Sequence, residues 1–348
     1  MFVREPIVGS LLVVFVGIGY CAEGEPNQKE DRELVKRMIL FLEREDVDLV
    51  LGSEAICNLP RLVPSSTDAQ KATMRYLERV AATGSTMVPI WYARSLCMYD
   101  AAFASKLVAL LVESQNDSVN RLCWTTLALM GKKAGGQVKS LEEYLRRQSD
   151  PLERVRVRIA LAVMGATLDN YAQAIEQSIR QRERAALEAV EMGARIGFRG
   201  WATEKAVSEV RQWLGDDLSD EYKCPAAISL AASGYCDKQC ESRLKTLLGN
   251  AMSDPEKSTT RICCAYALAL VDADRADKYW RVIAKTCGEG MNHTDSYAMA
   301  EILVSIPVNH VQTLRRLCKD ADSEVAAGAQ EILKALERAC ITGGPRVP

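Results

Sequence analysis

"LALMG", Leu127 to Gly131, returns 34 residues later as "LAVMG", Leu161 to Gly165, with the same order of chemistry. A small, apolar stretch that closes on glycine is what the end of a buried helix needs, because a left-handed residue there satisfies the last free carbonyls. Used as a ruler, the same ending recurs as "LCMYD" (96–100), "LAASG" (230–234), "LALVD" (268–272) and "LVSIP" (303–307). In chain order the copies end 31, 34, 69, 38 and 35 residues apart. The gap of 69 is two periods, and its missing member is the degenerate "ARIGF" (194–198), which carries Gly197.

Each copy closes a helix whose apolar residues recur at three and four, most clearly Val119, Leu122, Cys123, Thr126, Leu127 and Met130. These first helices are expected to start after Asp117, Asp150, Asp220, Asp254 and Asp322, with Pro151, Pro225 and Pro255 in their first turns. They are expected to stop at Gly131, Gly165, Gly197 and Gly234. A second helix follows each time, over 101–113, 137–147, 171–182, 202–214, 238–248, 275–285 and 310–319. No stretch reads as strand. The expected fold is all-α, a right-handed α-solenoid of stacked antiparallel helix pairs in which each pair touches its neighbours.

The segments "DSVNRLCWTTLALMG", "DPLERVRVRIALAVMG" and "DSEVAAGAQEIL" resemble the first helices of HEAT and armadillo-like repeats, over roughly residues 66–340. The resemblance implies architecture alone. Tetratricopeptide repeats share the period, but their Trp, Leu-Gly, Tyr and Pro positions are not met. Residues 25–65 read as N-terminal capping helices, with "ELVKRMILFLERED" (33–46) and "EAICNLPRLV" (54–63) as a divergent pair, and 341–348 as a disordered tail.

Residues 1–24 read as a signal peptide: Arg4 precedes the uncharged apolar run 7–18, and the small residues Gly19, Ala22 and Gly24 follow. The expected location is therefore exported, periplasmic or secreted, with no stable membrane span after cleavage. Cys21 raises a lipid anchor, but Tyr20 stands where such signals carry a small residue.

The 48% apolar and 26% charged composition is that of a core-forming chain. A net charge of -2 gives no general attraction to nucleic acid or an anionic membrane. Cys57, Cys97, Cys123, Cys263, Cys318 and Cys340 lie among Leu, Ile, Ala and Met in helical stretches and read as small core residues. Only "CDKQC", Cys236 to Cys240, invites more. It reads as a local disulfide, with Cys224 as another partner, or as half a metal site lacking two ligands.

HEAT-like folds include enzymes such as bilin lyases and helical DNA glycosylases, so chemistry has to be sought. The two histidines, His293 and His310, are separated by a whole helix and have no nucleophile motif beside them. "KKAGGQV" (132–138) follows no strand and reads as an interhelix turn. No catalytic residue, cofactor or metal is expected.

What rises above background is a basic ladder near the ends of the second helices: Arg147, Arg180, Arg211, Lys245, Arg281 and Arg315, at steps of 33, 31, 34, 36 and 34. A stack would place these along one edge of a concave second-helix face, suited to an acidic peptide or an anionic polysaccharide. Cations at helix C-termini are also favoured in any helical protein by about 0.3–1 kcal/mol each, and Asp150, Asp254 and Asp322 should share that edge. Trp201, beside Phe198 and Arg199 at the most irregular turn, reads as an interface anchor or as a staple of the degenerate repeat. Trp91, Trp124, Trp213 and Trp280 fall at apolar spacing and read as core. The expected function is a non-enzymatic scaffold with a protein partner and no nucleic acid. Its rival is an enzyme or accessory subunit with lyase-like or hydrolase-like action and no recognisable motif.

Overall fold

A computed structural model describes residues 28–44, 49–83, 90, 92–166, 171–183, 186–187, 190, 192–193, 202–215, 218–291, 295, 298–299, 302–303 and 306–338. The leader with Cys21, Trp91, Gly197, Phe198, Arg199, Trp201, His293, Cys340 and the tail 341–348 lie outside them.

Among the described residues every regular element is a helix. In chain order these are α1 (Gln28–Glu43), α2 (Leu49–Leu62), α3 (Thr67–Thr83), α4 (Tyr92–Leu96), α5 (Ala101–Glu113), α6 (Asp117–Met130), α7 (Val138–Arg147) and α8 (Pro151–Val163). They continue as α9 (Tyr171–Arg180), α10 (Glu204–Gln212), α11 (Asp220–Ala232), α12 (Lys238–Met252), α13 (Ser258–Val271), α14 (Ala276–Gly288), α15 (Val308–Leu317) and α16 (Ser323–Arg338). The expected strand-free architecture is met, and "KKAGGQV" lies in the 3-10 turn Gly131–Gln137 that leads into α7.

Three of the recurring pentamers end helices for the physical reason expected. Gly131, Gly165 and Gly234 all take positive φ, at 52°, 90° and 75°. After α8 and α11 the closure is the same: Ala166 N donates to Leu161 O at 3.0 Å, and Tyr235 N to Leu230 O at 2.8 Å. This is the double-bonded left-handed helix end that glycine permits at least cost.

Helix starts follow the sequence in part. Asp150, Asp254 and Asp322 accept from the amides of Leu152, Glu256 and Glu324. The cap of α6, however, is Asn116, whose Oδ1 accepts from Ser118 and Val119, and α11 begins after Ser219. Asp117 and Asp220 are thereby left inside their helices and reach neighbouring first helices instead: Arg156 donates to Asp117 at 2.8 Å and Thr260 donates to Asp220. Pro225 corrects a second expectation. It sits inside α11 rather than in its first turn.

Hydrogen bonds about one period long join the helix pairs. Lys133 Nζ donates to Cys97 O at 3.1 Å, Ser258 Oγ to Asp295 Oδ1 at 2.8 Å, and Thr313 Oγ1 to Asp277 Oδ1 at 2.8 Å. These links span 36, 37 and 36 residues. First helices touch the next first helix in α2–α4, α4–α6, α6–α8 and α11–α13, and second helices do so in α3–α5, α5–α7 and α9–α10. Burial is most complete in one first helix, α13, and least in one second helix, α7. From Thr260 to Ala269 every residue of α13 is buried, as a helix covered on all sides must be, whereas Leu141 is the buried residue of α7.

One expectation is overturned. Units were to touch only their neighbours, yet α2 packs against α16, and Arg94 Nη1 lies 3.5 Å from the carbonyl oxygens of both Leu303 and Ile306. Burial pulls the Arg94 guanidinium below its ordinary pKa, against the opposing effects of Tyr266 and Cys97. A half-buried cation needs acceptors, and these carbonyls supply them across some 200 residues of chain.

Candidate functional site

The six ladder residues all lie on second helices, Lys245 and Arg281 before the last turn rather than at the helix end as expected, and they divide into three groups by what holds them. Arg147, Arg180 and Lys245 each pair with a glutamate four residues earlier on the same helix: Glu143, Glu176 (2.6 Å) and Glu241. Their side chains stay 76%, 50% and 44% exposed, so these are solvent-facing pairs of small net energy. The hydrogen bond that Lys245 donates to Glu241 holds the ammonium above its ordinary pKa.

Arg211 and Arg281 are stitches between elements. Arg211 donates to Tyr235 O through Nη2 (2.8 Å) and Nε (3.3 Å) and pairs with Asp237 at 3.1 Å. Arg281 pairs with Asp320 and Asp322, and Lys285 joins Asp322 and Glu324 at 3.5 Å each. Asp322 sits below its ordinary pKa: desolvation works against this, but the amides of Val325 and Glu324 and the Lys285 ammonium outweigh it. Of the aspartates expected along this edge, Asp322 does neutralise the ladder. Asp150 and Asp254 serve mainly as caps, and Asp237 and Asp320 take the role instead. Arg315, in the third group, is exposed and makes no ion pair among the described residues.

Cys236 and Cys240 come together, Sγ to Sγ at 2.7 Å, with Cys240 buried and Cys236 half-exposed. Of the cysteines read as core, Cys57, Cys123 and Cys263 are buried, while Cys97 and Cys318 are half-buried. Desolvation pushes the Cys97 thiol up to about 11 and the Cys287 thiol to about 12, which keeps both protonated and inert near neutral pH. Among the described residues no group of three or more His, Cys, Asp or Glu side chains could hold a metal ion, and no helix is long and apolar enough to cross a membrane.

Two buried features escaped the sequence reading. Arg156, 1% exposed, is held by Glu153 (2.7 Å) and Asp117 (2.8 Å), and Glu153 also accepts from Trp124 Nε1 at 2.7 Å. The signal lay in "ERVRVR", a run of charges inside an otherwise apolar helix.

The other is His310, 3% exposed, edge-on to Trp280 at 5.7 Å with Nδ1 unpartnered among the described residues. Burial lowers its pKa below the ordinary 6.5, Asp277 opposing. The neutral form therefore suits the fold, and its contribution is complete above pH 6.5 and is lost as the unfolded chain takes up a proton the folded chain resists. His310→Phe is expected to flatten the fall in unfolding free energy below pH 6.5, a slope of at most about 1.4 kcal/mol per pH unit. Urea titrations from about pH 8 to about pH 5 check this, and parallel pH profiles for the two proteins would contradict it.

Comparison with protein-family models, with curated proteins and with solved structures finds no match to this chain.

Proposed function

We propose that the protein is an exported, non-enzymatic scaffold of HEAT-like character, an α-solenoid of stacked antiparallel helix pairs, that binds an acidic segment of another protein along its second-helix face. The observation that carries this reading is the recurrence of an exposed cation on second helix after second helix, at Arg147, Arg180, Lys245 and Arg315. Three of these are held by exposed or partly exposed glutamates on their own helices. Because such pairs contribute about 0–1 kcal/mol, a partner carboxylate can take the glutamate's place at little cost.

The long-range contacts modify one part of the sequence expectation. First helices α2 and α16 touch, and α4 carries Arg94 to the carbonyl oxygens of Leu303 and Ile306. An array curled this way turns its first helices inward, in keeping with the all-round burial of α13, and offers its second helices on the outer rather than the concave side.

The test uses Arg147→Glu, Arg180→Glu and Arg315→Glu together, leaving the two stitches Arg211 and Arg281 intact. An oligoglutamate peptide is titrated at low ionic strength. The triple variant is expected to bind at least about tenfold more weakly while keeping its helical content, and wild-type affinity should fall with added salt. Equal affinity in both proteins overturns the proposal. Binding of a sulfated polysaccharide but not of the peptide would overturn the partner class.

A further inference from the structure

We propose that Cys236 and Cys240 form a thiol–disulfide exchange site, opened and closed by a low-molecular-weight thiol at the turn between α11 and α12.

Local structure places the two sulfurs together. Gly234, at φ 75°, ends α11 and releases the chain into "YCDKQC". Asp237 then caps α12, its Oδ1 accepting from Cys240 N at 2.9 Å, so Cys236 stands just before the cap and Cys240 in the first turn. The turn is fixed from outside as well. Arg211 holds Tyr235 O and Asp237, and Arg243 Nη1 donates to Arg211 O at 3.2 Å. Within this frame Cys236 Sγ donates to Cys240 Sγ at 2.7 Å, and a bond of about 2.0 Å needs only a further closing of that gap.

The two cysteines are unequal in a way that assigns their roles. Cys236 is half-exposed and can be reached by a small thiol, whereas Cys240 is 3% exposed. The hydrogen bond from Cys236 holds Cys240 below the ordinary thiol range, with Arg211 and Arg243 acting in the same direction against desolvation and Asp237, while the donor Cys236 is held above that range. When Cys240 departs, Cys236 is bonded to the external sulfur and has no proton to give, so the departing thiolate is stabilised by Arg211 and Arg243, which both lower its pKa, and by its place in the first turn of α12.

Opening runs in two steps. An external thiolate attacks the Cys236 sulfur, the Cys236–Cys240 bond breaks, and its electron pair leaves on Cys240 as a thiolate beside the α12 N-terminus and Arg211. A second external thiolate then attacks the sulfur of the bound external thiol, expelling Cys236. One proton from the external thiols ends on Cys236, which donates to Cys240, and the other passes to solvent. Two external thiols become one external disulfide as the protein disulfide gains two electrons. Closing is the reverse with an external disulfide as oxidant. Cys224 in α11 and Cys264 in α13 are buried, and burial holds the Cys264 thiol well above its ordinary value, so neither competes.

The full chain is equilibrated in glutathione buffers of graded oxidised-to-reduced ratio, acid-quenched and alkylated, and the 236–240 peptide is weighed. The expected wild-type result is one two-electron transition between an alkylated pair and a peptide lighter by two hydrogens, with no more than about a tenth as mixed glutathione disulfide. Cys240→Ser should instead accumulate the mixed disulfide on Cys236, and Cys236→Ser should leave Cys240 unmodified. Three results would overturn the proposal: a pair that stays open in excess oxidised glutathione, a wild type that accumulates the mixed disulfide, or a closed bond that reduced glutathione opens only after denaturation.

Discussion

Arg156→Met is expected to lower the free energy of unfolding by about 3–5 kcal/mol, because it strips a buried carboxylate of its cation. The Arg156 side chain sits between α6 and α8, joined to Glu153 on its own helix and to Asp117 one period earlier. Glu153 is 8% exposed, and without Arg156 its oxygens would retain the Trp124 indole as their named donor. Asp117 is 61% exposed and is rehydrated at little cost, so the loss falls on Glu153. Glu153→Met should cost a similar amount by the converse route, leaving a buried guanidinium with Asp117. The double variant Glu153→Met with Arg156→Met is expected to recover much of the loss, since removing both charges ends the desolvation penalty that either single change exposes. Urea unfolding followed by tryptophan fluorescence checks this at the site, Trp124 being part of the network. Single variants within about 1 kcal/mol of the wild type would show that the network does not hold α6 to α8.

That network also shows where a sequence stops being readable. Helix ends at Gly131, Gly165 and Gly234 were legible because a left-handed backbone is a local demand that a single residue type meets. The ladder was legible as recurrence, but its expected partners were the aspartates of the following helices, although Glu143, Glu176 and Glu241 stand four residues before Arg147, Arg180 and Lys245, the spacing at which helical charges meet. The proximity of Cys236 and Cys240 was readable from that spacing, lying within one turn. The pairing of Arg156 with Asp117 was not. It depends on how two first helices are set against each other and on Asn116 taking the cap, which leaves Asp117 available. Pro225 misled because a proline reads as a helix start wherever a cap precedes it, yet α11 carries it inside. Least readable was Arg94, whose acceptors Leu303 and Ile306 lie 209 and 212 residues away with no local pattern to announce them. These failures share a cause: periodicity fixes which face of a helix is buried, but not which distant element covers it.

Gly328→Ala should be among the most damaging single-methyl additions to this chain, although alanine ordinarily favours a helix over glycine by about 1 kcal/mol. The helix α16 crosses α14 so closely that a Cβ on Gly328 would lie 2.8 Å from the Ala284 carbonyl carbon and 2.8 Å from the Gly288 amide nitrogen, overlapping the Ala284 oxygen. The crossing is closed from the other side too. A Cβ on Gly288 would meet the Glu324 carbonyl carbon at 2.7 Å and its Cα at 3.1 Å. All of these neighbours are backbone, so no side-chain rotation relieves the overlap, and the helices must separate. Separation would loosen the apolar contacts around Ala284, Val325 and Ala329, all fully buried, and strain the Lys285 pairs to Asp322 and Glu324. The expected cost is about 3 kcal/mol or more, the upper end for overpacking, against the gain in helix propensity. Gly249→Ala is the control. Gly249 lies within α12 with nothing near its would-be Cβ, so there propensity should act alone and stability should rise by about 0.5–1 kcal/mol. Denaturant midpoints for the two variants decide the matter. Opposite signs support the close crossing of α14 and α16, whereas a Gly328→Ala protein as stable as the wild type would require these helices to lie farther apart than the structure has them.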